Sequence, residues 1–232
     1  MRILFVCAGN LLRSVISECV FEARARELLG DLSGVFEVES SGLEAEEQGE
    51  WSSKRHPDCV HALEVIGLPA GLPAPTRTDS EHMARADIAV TMTRQQSYVM
   101  ANRFPENKRK CFSLLEVNGA LWTLSDGRPA GLEGGELSRL AVETGEDGLR
   151  KGLDRVAESL TGTSRELLMP LEGVRLNVRE LMTLFAPCFY QVSGVHDPMG
   201  GTDEEISRCA RQLDGEVSRM LHGLVRLALG ST

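Results

Sequence analysis

Residues 1–21 of the chain are MRILFVCAGNLLRSVISECVF. The apolar and β-branched residues at 2–6 predict a short buried strand, because the run is too short for a helix. This strand ends at Cys7, and a helical pattern begins near Arg13 and Ser14 after a small polar loop. Open α/β sheets bind ligands at the carboxyl ends of their strands, so the loop is a predicted ligand site.

The residues of this loop are suited to an anion. The free N–H groups and the positive dipole end of a helix that starts near Ser14 point toward the loop. Gly9 lets the backbone approach an anion closely, and Asn10 tolerates the left-handed conformation that such a loop needs. Arg13 carries a planar fork that matches two phosphate oxygens. These groups would stabilise a thiolate, so the loop predicts a phosphate site with Cys7 as its nucleophile.

Length and charge limit the function classes. The 232 residues are 42% hydrophobic, which is enough for a substantial core. The net charge of −9 argues against broad nucleic-acid binding, although one local positive site for an anion is still compatible with it. The sequence has no apolar run of membrane-spanning length and no signal-peptide pattern. We therefore expect a cytoplasmic location, with neither a membrane nor a nucleic acid as partner.

The six cysteines do not form a recognisable framework. They are scattered without a Cys-x-x-Cys pair, which disfavours a disulfide scaffold or a zinc site. Four of them lie in apolar patterns and are predicted to be core residues: Cys19, Cys59, Cys111 and Cys209. Cys7 differs from them by its position at a strand-to-helix junction.

Strand and helix patterns alternate through the first half of the chain. Further strands are predicted at 35–40, 87–92 and 110–117, and helices at 14–29, 56–68, 78–86 and 94–104. Residues 43–56 predict a polar loop that carries Trp51. The alternation predicts an α/β fold of three layers, in which a four-stranded parallel sheet has helices on both faces.

The alternation of strand and helix patterns ends after residue 118. Glycine-rich turns and helical patterns around 136–160 and 171–185 follow, without a further clear strand. The chain then ends in a long amphipathic helix, which Thr202 and Glu205 would open as a capping box.

Several motifs together resemble one known family. CAGNLLRS at 7–14 closely resembles the loop signature Cys-x-Gly-Asn-x-Cys-Arg-Ser of the low-molecular-weight protein tyrosine phosphatases, and HDPMGG at 196–201 resembles the family's Asp-Pro loop. ISECVF, VESSGL and HPDCVHALEVIGL follow in the family's order, so the resemblance covers 1–118 and 192–228. The resemblance implies a flavodoxin-like or Rossmann-like sheet in the order 2-1-3-4, a fold that the thioredoxin-linked arsenate reductases share.

The resemblance also implies roles for individual residues. Cys7 would attack phosphorus and form a phosphocysteine, while Arg13 and the loop N–H groups hold the phosphate oxygens. Ser14 would hydrogen-bond the thiolate, Asn10 would hold the loop shape, and Asp197 would act as general acid and then as base. Neither a metal nor a cofactor is expected, because the loop itself supplies the positive field. The implied substrate-contacting residues are Ala8, Gly9, Asn10, Leu11, Leu12, Arg13, Ser14, Trp51 and Met199.

The chain departs from the family pattern around the loop. Leu12 replaces the second loop cysteine, so the disulfide that guards many members cannot form there. Leu11 fits tyrosine-type members better than the bacterial arginine phosphatases, in which threonine is common at this place. Met199 stands where many members carry an aromatic residue, and Trp51 is a candidate for the opposite wall.

The resemblance implies a phosphotyrosine phosphatase whose partners are a phosphorylated protein or a small phosphomonoester, and a tyrosine kinase that supplies the substrate. Three alternatives stay open. They are an arginine phosphatase, a non-catalytic phosphate- or phosphoprotein-binding module, and an arsenate reductase. The last is disfavoured because no cysteine lies between Cys59 and Cys111.

Residues 119–191 separate the fourth predicted strand from the Asp-Pro loop. We expect 1–118 and 192–232 to form the phosphatase domain, with 119–191 as a helical insertion within it. The insertion could serve as a lid or substrate-selecting wall, or it could be a helical decoration or a dimer surface.

Overall fold

The structure, a computed structural model, describes residues 1–45, 50–69, 72, 75–125, 134–162 and 194–230. For residues 50–56 it describes the backbone alone.

Four parallel strands form the central sheet. They are β1 (Arg2–Cys7), β2 (Glu37–Gly42), β3 (Ile88–Thr91) and β4 (Cys111–Ser113), in the order β2-β1-β3-β4. Cys7 pairs with Gly42 on one side of β1, and Val6 pairs with Thr91 on the other. The predicted fold class and strand order are confirmed, and the loop after β1 emerges between two strands whose carboxyl ends share its edge of the sheet.

Helices cover both faces of this sheet. One face carries α1 (Arg13–Leu29), α2 (Glu50–Val65), α5 (Leu114–Leu124), α6 (Gly134–Gly162) and α7 (Asp203–Gly230), and the other carries α3 (Ser80–Arg85) and α4 (Arg94–Arg103). Two 3-10 helices span Gly30–Val35 and Pro105–Lys110. The side chains of β1 alternate between the two cores, as a period of two residues requires. None of the helices in the described ranges has the length and apolarity that crossing a membrane requires.

The fourth strand is shorter than the predicted one. The prediction of a strand over 110–117 is wrong beyond Ser113, where α5 begins. Ser113 accepts a hydrogen bond from the Glu116 N–H, and the Glu116 carboxylate accepts one from the Ser113 N–H. This capping box starts a helix inside an apolar run that also fits a buried strand.

The second helix begins earlier than predicted. The sequence predicts a loop over 43–56, but α2 starts at Glu50 and includes the backbone of Trp51. Pro57, the second residue of the helix predicted at 56–68, lies inside α2 at an exposed position. Water can satisfy the carbonyl group that the absent proline N–H leaves without a partner there.

The C-terminal helix opens as predicted. The Thr202 N–H donates to Glu205 Oε2 at 2.8 Å, and the Glu205 N–H donates to Thr202 Oγ1 at 3.4 Å. Three of the predicted core cysteines, Cys59, Cys111 and Cys209, are buried, while Cys19 is half-buried.

Residues beyond 118 contribute to the same core as the first half of the chain. The apolar faces of α5, α6 and α7 join α1 in one hydrophobic cluster. The helix predicted around 136–160 is confirmed as α6, with a break at Gly145 (φ 73°), whereas the helix predicted at 171–185 lies outside the described residues. The division into a phosphatase domain and an insertion stays a prediction.

Gly152 permits the close contact between α6 and α7. A Cβ atom at Gly152 would lie 2.3 Å from the Ala228 carbonyl oxygen. We expect Gly152→Ala to destabilise the protein by about 1–3 kcal/mol, because the backbone of α7 must move. Urea denaturation would measure the change in the free energy of unfolding.

Gly215 provides a matched control on the exposed side of α7, where an added Cβ meets no atom within 4 Å. Gly215→Ala should stabilise the protein by about 1 kcal/mol, since alanine favours the helix. Equal effects of the two substitutions would contradict the described packing of α6 on α7.

Candidate active site

The loop between β1 and α1 starts directly after Cys7, the last residue of β1. Cys7 is buried, as are Asn10 and Arg13, while Ala8 is exposed and Gly9 half-buried. The helix that follows begins at Arg13, so its first N–H groups lie beside the loop. A short loop that ends in a helix N-terminus is an anion-binding arrangement.

Asn10 holds the shape of this loop. Its φ of 50° makes it the one non-glycine residue with positive φ in the described part of the chain. The Asn10 amide donates to Ser14 Oγ at 3.0 Å and to Ser40 Oγ at 2.9 Å, and its Oδ1 accepts the Thr76 N–H at 2.9 Å. The carboxamide therefore connects α1, β2 and the segment before α3.

Ser14 connects this network to Cys7. Its Oγ lies 3.1 Å from Cys7 Sγ. Because Ser14 Oγ accepts a hydrogen bond from Asn10, its own proton is available to the sulfur. The structure thus brings together Cys7, Asn10 and Ser14.

Arg13 joins the loop to the distant Asp-Pro segment. Arg13 Nη1 donates to the Val195 carbonyl at 3.0 Å, and Nη2 forms an ion pair with Asp197 Oδ2. The Asp197 carboxyl is 43% exposed, and its Oδ1 accepts the Met199 N–H at 3.3 Å. A residue 190 positions after Cys7 in the sequence therefore lies at the same site.

The sheet edge fixes the segment that carries Asp197. Thr93 and Gly194 form an antiparallel bridge, and the Val195 N–H donates to the Met92 carbonyl at 2.8 Å. Met92 directly follows β3, so the position of Asp197 depends on the strand next to β1.

Only some of the remaining residues predicted to contact substrate lie near the loop surface. The half-buried side chain of Leu11 packs over Gly9, and the Leu11 carbonyl accepts a hydrogen bond from Cys59 Sγ at 2.9 Å. Leu12 is 3% exposed and belongs to the core rather than to the loop surface. Met199 is 43% exposed beside Asp197. The side chain of Trp51 lies outside the described residues.

The two thiols near Arg13 lie in different surroundings. Burial raises the pKa of Cys209 to about 12, although Arg13 acts on it in the opposite direction. Cys7, by contrast, lies at a helix N-terminus with a hydroxyl at hydrogen-bond distance. In the described residues, no group of three His, Cys, Asp or Glu side chains is placed to hold a metal ion.

Sequence reasoning missed the supports of the loop. Ser40, Thr76 and Gly42 hold Asn10 or make room for it, yet the sequence predicts Ser40 only as the end of the strand at 35–40. Gly42 pairs with Cys7, and a Cβ there would lie 2.6 Å from the Asn10 nitrogen. The resemblance of VESSGL to a family motif is the signal that could have identified Ser40 and Gly42.

A parallel sheet with an anion-binding, cysteine-containing loop after its first strand is the arrangement of a low-molecular-weight phosphatase. Residues 2–136 match the signature of the Low molecular weight phosphotyrosine protein phosphatase family. The chain belongs to this family and is a phosphatase.

Relatives and solved structures agree with this assignment. The protein-arginine-phosphatase of Geobacillus stearothermophilus is 34% identical over 163 residues, which cover 68% of this chain and 95% of that protein. The protein-arginine-phosphatase of Bacillus subtilis (strain 168) is 33% identical over 117 residues, 50% of this chain and 71% of that protein. A solution structure of a low molecular weight protein tyrosine phosphatase from Bacillus subtilis shares the fold, with a TM-score of 0.56, 21% identity and coverage of 97% of this chain and 98% of that one.

Gly42 allows a direct test of the loop geometry. In Gly42→Ala the new methyl group meets backbone atoms of Ala8, Gly9 and Asn10, which cannot rotate away. We expect the loop to shift and the affinity for inorganic phosphate to fall by about tenfold or more, since a displaced loop loses charge-assisted hydrogen bonds. Titration calorimetry with phosphate would measure the loss.

Gly34→Ala is the control, because an added Cβ at that exposed position meets no atom within 4 Å. Its phosphate affinity should equal that of the wild type. An unchanged affinity in Gly42→Ala would show that the loop does not depend on this contact.

Proposed function

We propose that the chain removes phosphoryl groups from protein side chains through a phosphocysteine on Cys7. The observation that carries this proposal is the grouping of four side chains at the loop after β1. Ser14 lies at hydrogen-bond distance from Cys7, and Arg13 forms an ion pair with Asp197. These groups are a nucleophile, a hydroxyl donor, a cationic fork and a carboxyl.

In the first step, Cys7 Sγ attacks phosphorus and forms the S–P bond while the bond to the leaving oxygen or nitrogen breaks. Arg13 and the loop N–H groups hold the three non-bridging oxygens, whose charge grows in the transition state. Asp197 transfers a proton to the leaving atom. A phosphoryl group in the loop would compete for the Arg13 N–H that Asp197 accepts in the free protein, leaving the carboxyl to face the leaving group.

In the second step, water attacks the phosphocysteine and the S–P bond breaks. Asp197 now takes a proton from the water, and phosphate leaves. The Ser14 hydroxyl donates to the departing thiolate, which the 3.1 Å separation from Cys7 Sγ supports. A hydrogen bond to a charged group stabilises it by about 1.5–3 kcal/mol, so Ser14 would contribute mainly to this step.

Hydrolysis of p-nitrophenyl phosphate, without metal and with reductant, tests the chemistry. Cys7→Ser should abolish turnover, because a serine oxygen at this site is a far poorer nucleophile and leaving group, while phosphate binding survives.

Cys19→Ser, on α1 and away from the loop, is the matched control and should retain activity. Retained turnover in Cys7→Ser would refute the phosphocysteine mechanism. Phosphate binding without any wild-type turnover would favour the non-catalytic binding module.

Phosphoarginine is the substrate that the relatives favour. Both relatives above 30% identity carry the name protein-arginine-phosphatase. The Asp-Pro segment also agrees with a cationic leaving group, because the exposed carboxyl of Asp197 can pair with a guanidinium. Met199, next to it, offers no aromatic face for a tyrosine ring.

Phosphotyrosine is the second candidate, and Leu11 supports it. The Leu11 side chain is half-buried and packs over Gly9 at the edge of the loop. An aliphatic side chain can contact a phenyl ring but cannot hydrogen-bond a guanidinium. The expected tyrosine-kinase partner, the cytoplasmic location and the contact through Trp51 stay predictions.

Leu11 can be used to separate the two substrates. We expect Leu11→Thr to raise kcat/KM for a phosphoarginine peptide relative to a phosphotyrosine peptide of the same sequence by about tenfold, because the new hydroxyl can bond the guanidinium. Phosphate release from the paired peptides would measure the ratio.

Leu11→Val is the control, since it shortens the side chain without adding a hydroxyl. An unchanged ratio in Leu11→Thr would show that selectivity resides elsewhere. A wild-type preference for phosphotyrosine would reverse the proposed substrate.

A further inference from the structure

Gln96 is a polar residue of α4 that the mechanism above does not use. It lies in the first turn of the helix, and its side chain is half-buried. Its Oε1 accepts the Thr93 N–H at 3.2 Å, and its own N–H donates to Thr93 Oγ1 at 3.3 Å. Thr93 and Gln96 therefore form a capping box at the start of α4.

Gln96 makes one hydrogen bond more than a capping box requires. The box uses the backbone N–H of the first residue, here Thr93. Gln96 Oε1 also accepts the Met92 N–H at 3.1 Å. That N–H already donates to the Val6 carbonyl at 3.1 Å, so the extra bond is not needed to satisfy it. The two donors at one oxygen fix the peptide between Met92 and Thr93 in place.

This peptide carries the Asp-Pro segment. The Met92 carbonyl accepts the Val195 N–H at 2.8 Å, and Thr93 forms an antiparallel bridge with Gly194. A Cβ atom at Gly194 would lie 2.6 Å from the Met92 carbonyl oxygen and 2.8 Å from Thr93 Cα. The two backbones are thus in direct contact, and a shift of the Met92–Thr93 peptide must move the segment with it.

The other side of the segment faces the phosphate loop. The Val195 carbonyl accepts a hydrogen bond from Arg13 Nη1 at 3.0 Å, and Asp197, two residues further on, forms an ion pair with Arg13 Nη2. A continuous series of hydrogen bonds and backbone contacts therefore joins Gln96 to Asp197, although Gln96 itself belongs to a helix on the opposite face of the sheet from α1.

We propose that Gln96 is a positioning residue for Asp197: its carboxamide oxygen fixes the end of β3, and this fixes the backbone from which the general acid reaches the loop. This inference deepens the proposed function, on which its catalytic meaning rests. Its physical content, the attachment of the segment to the end of β3, can be measured without turnover.

Loss of the carboxamide should shift the segment rather than release it. The Val195 side chain is buried in the main core and keeps the segment attached. A shifted carboxyl transfers its proton less well, and the loss is largest where the leaving group most needs the proton. The phenol of phenyl phosphate needs it, whereas p-nitrophenolate is a good leaving group without it.

The test compares kcat/KM for phenyl phosphate and p-nitrophenyl phosphate, because this constant reports the step in which the leaving group departs. Gln96→Ala should lower kcat/KM for phenyl phosphate by about tenfold, a fraction of what a general acid contributes, and change that for p-nitrophenyl phosphate much less. Gln96→Glu keeps an acceptor oxygen at the same place and should restore the wild-type ratio.

A second measurement follows the segment itself. Amide hydrogen exchange of Val195, observed by NMR, should become up to about tenfold faster in Gln96→Ala, since its hydrogen bond to Met92 is weakened. This readout requires no substrate.

Ser113→Ala is the matched control. Ser113 Oγ accepts the Glu116 N–H at 3.3 Å in the capping box of α5, at the end of the neighbouring strand β4. Its loss weakens a helix start of the same kind, so the urea midpoint should fall in both variants. The ratio of the two substrates and the exchange of Val195 should change in Gln96→Ala alone.

Gly194→Ala moves the segment from its own side, because the new methyl group meets backbone atoms of Met92 and Thr93. It should raise the preference for p-nitrophenyl phosphate as Gln96→Ala does, and it decides the matter if Gln96→Ala does not fold.

Equal losses for both substrates in Gln96→Ala, or unchanged exchange of Val195, would overturn the inference. Faster exchange in a protein whose turnover survives Cys7→Ser would support the link from Gln96 to the segment and refute the proposed function. Turnover that is lost in Cys7→Ser, with an unchanged substrate ratio in Gln96→Ala, would do the reverse.

Discussion

The carboxamide of Asn10 is the interaction on which the site depends. A left-handed residue in a short loop needs support from its surroundings, and Asn10 obtains it from Ser14, Ser40 and the Thr76 N–H. These three partners belong to different parts of the fold, so the loop has its shape only when α1, β2 and the segment before α3 are packed. Gly42 restricts the loop sterically as well, because a Cβ atom at this position would lie 2.6 Å from the Asn10 nitrogen.

A second constraint joins the two ends of the chain. Arg13 reaches Val195 and Asp197, whose segment is held against the end of β3. The helix that follows this segment is also anchored to α1, because Arg24 donates two hydrogen bonds to Asp214. Folding of α7 against α1 and closure of the site are therefore coupled, which explains how a general-acid candidate far away in the sequence can be placed within reach of the loop.

The loop itself could be predicted because its information is local: a cysteine, a glycine, an asparagine and an arginine at fixed spacing between a strand and a helix. Its supports could not, since Ser40 and Thr76 are ordinary polar residues until the sheet brings them to Asn10. The predicted end of β4 and the predicted start of α2 are wrong for different reasons. The Ser113–Glu116 capping box lies inside an apolar run that also fits a strand, whereas a proline is typical of a helix start, although Pro57 lies inside α2.

Substrate selection has a different physical origin from catalysis in this fold. In the proposed mechanism, Arg13, the loop N–H groups and Cys7 contact only the phosphoryl group, which is the same on tyrosine and on arginine. Discrimination must then come from side chains beside the loop, where Leu11 is apolar and Asp197 carries a carboxyl group. These two residues favour opposite leaving groups, an aromatic ring and a guanidinium cation. The proposed mechanism assigns Asp197 the proton transfer to the leaving atom in either case, so Asp197 would act on both chemistry and selection, whereas Leu11 would act on selection alone.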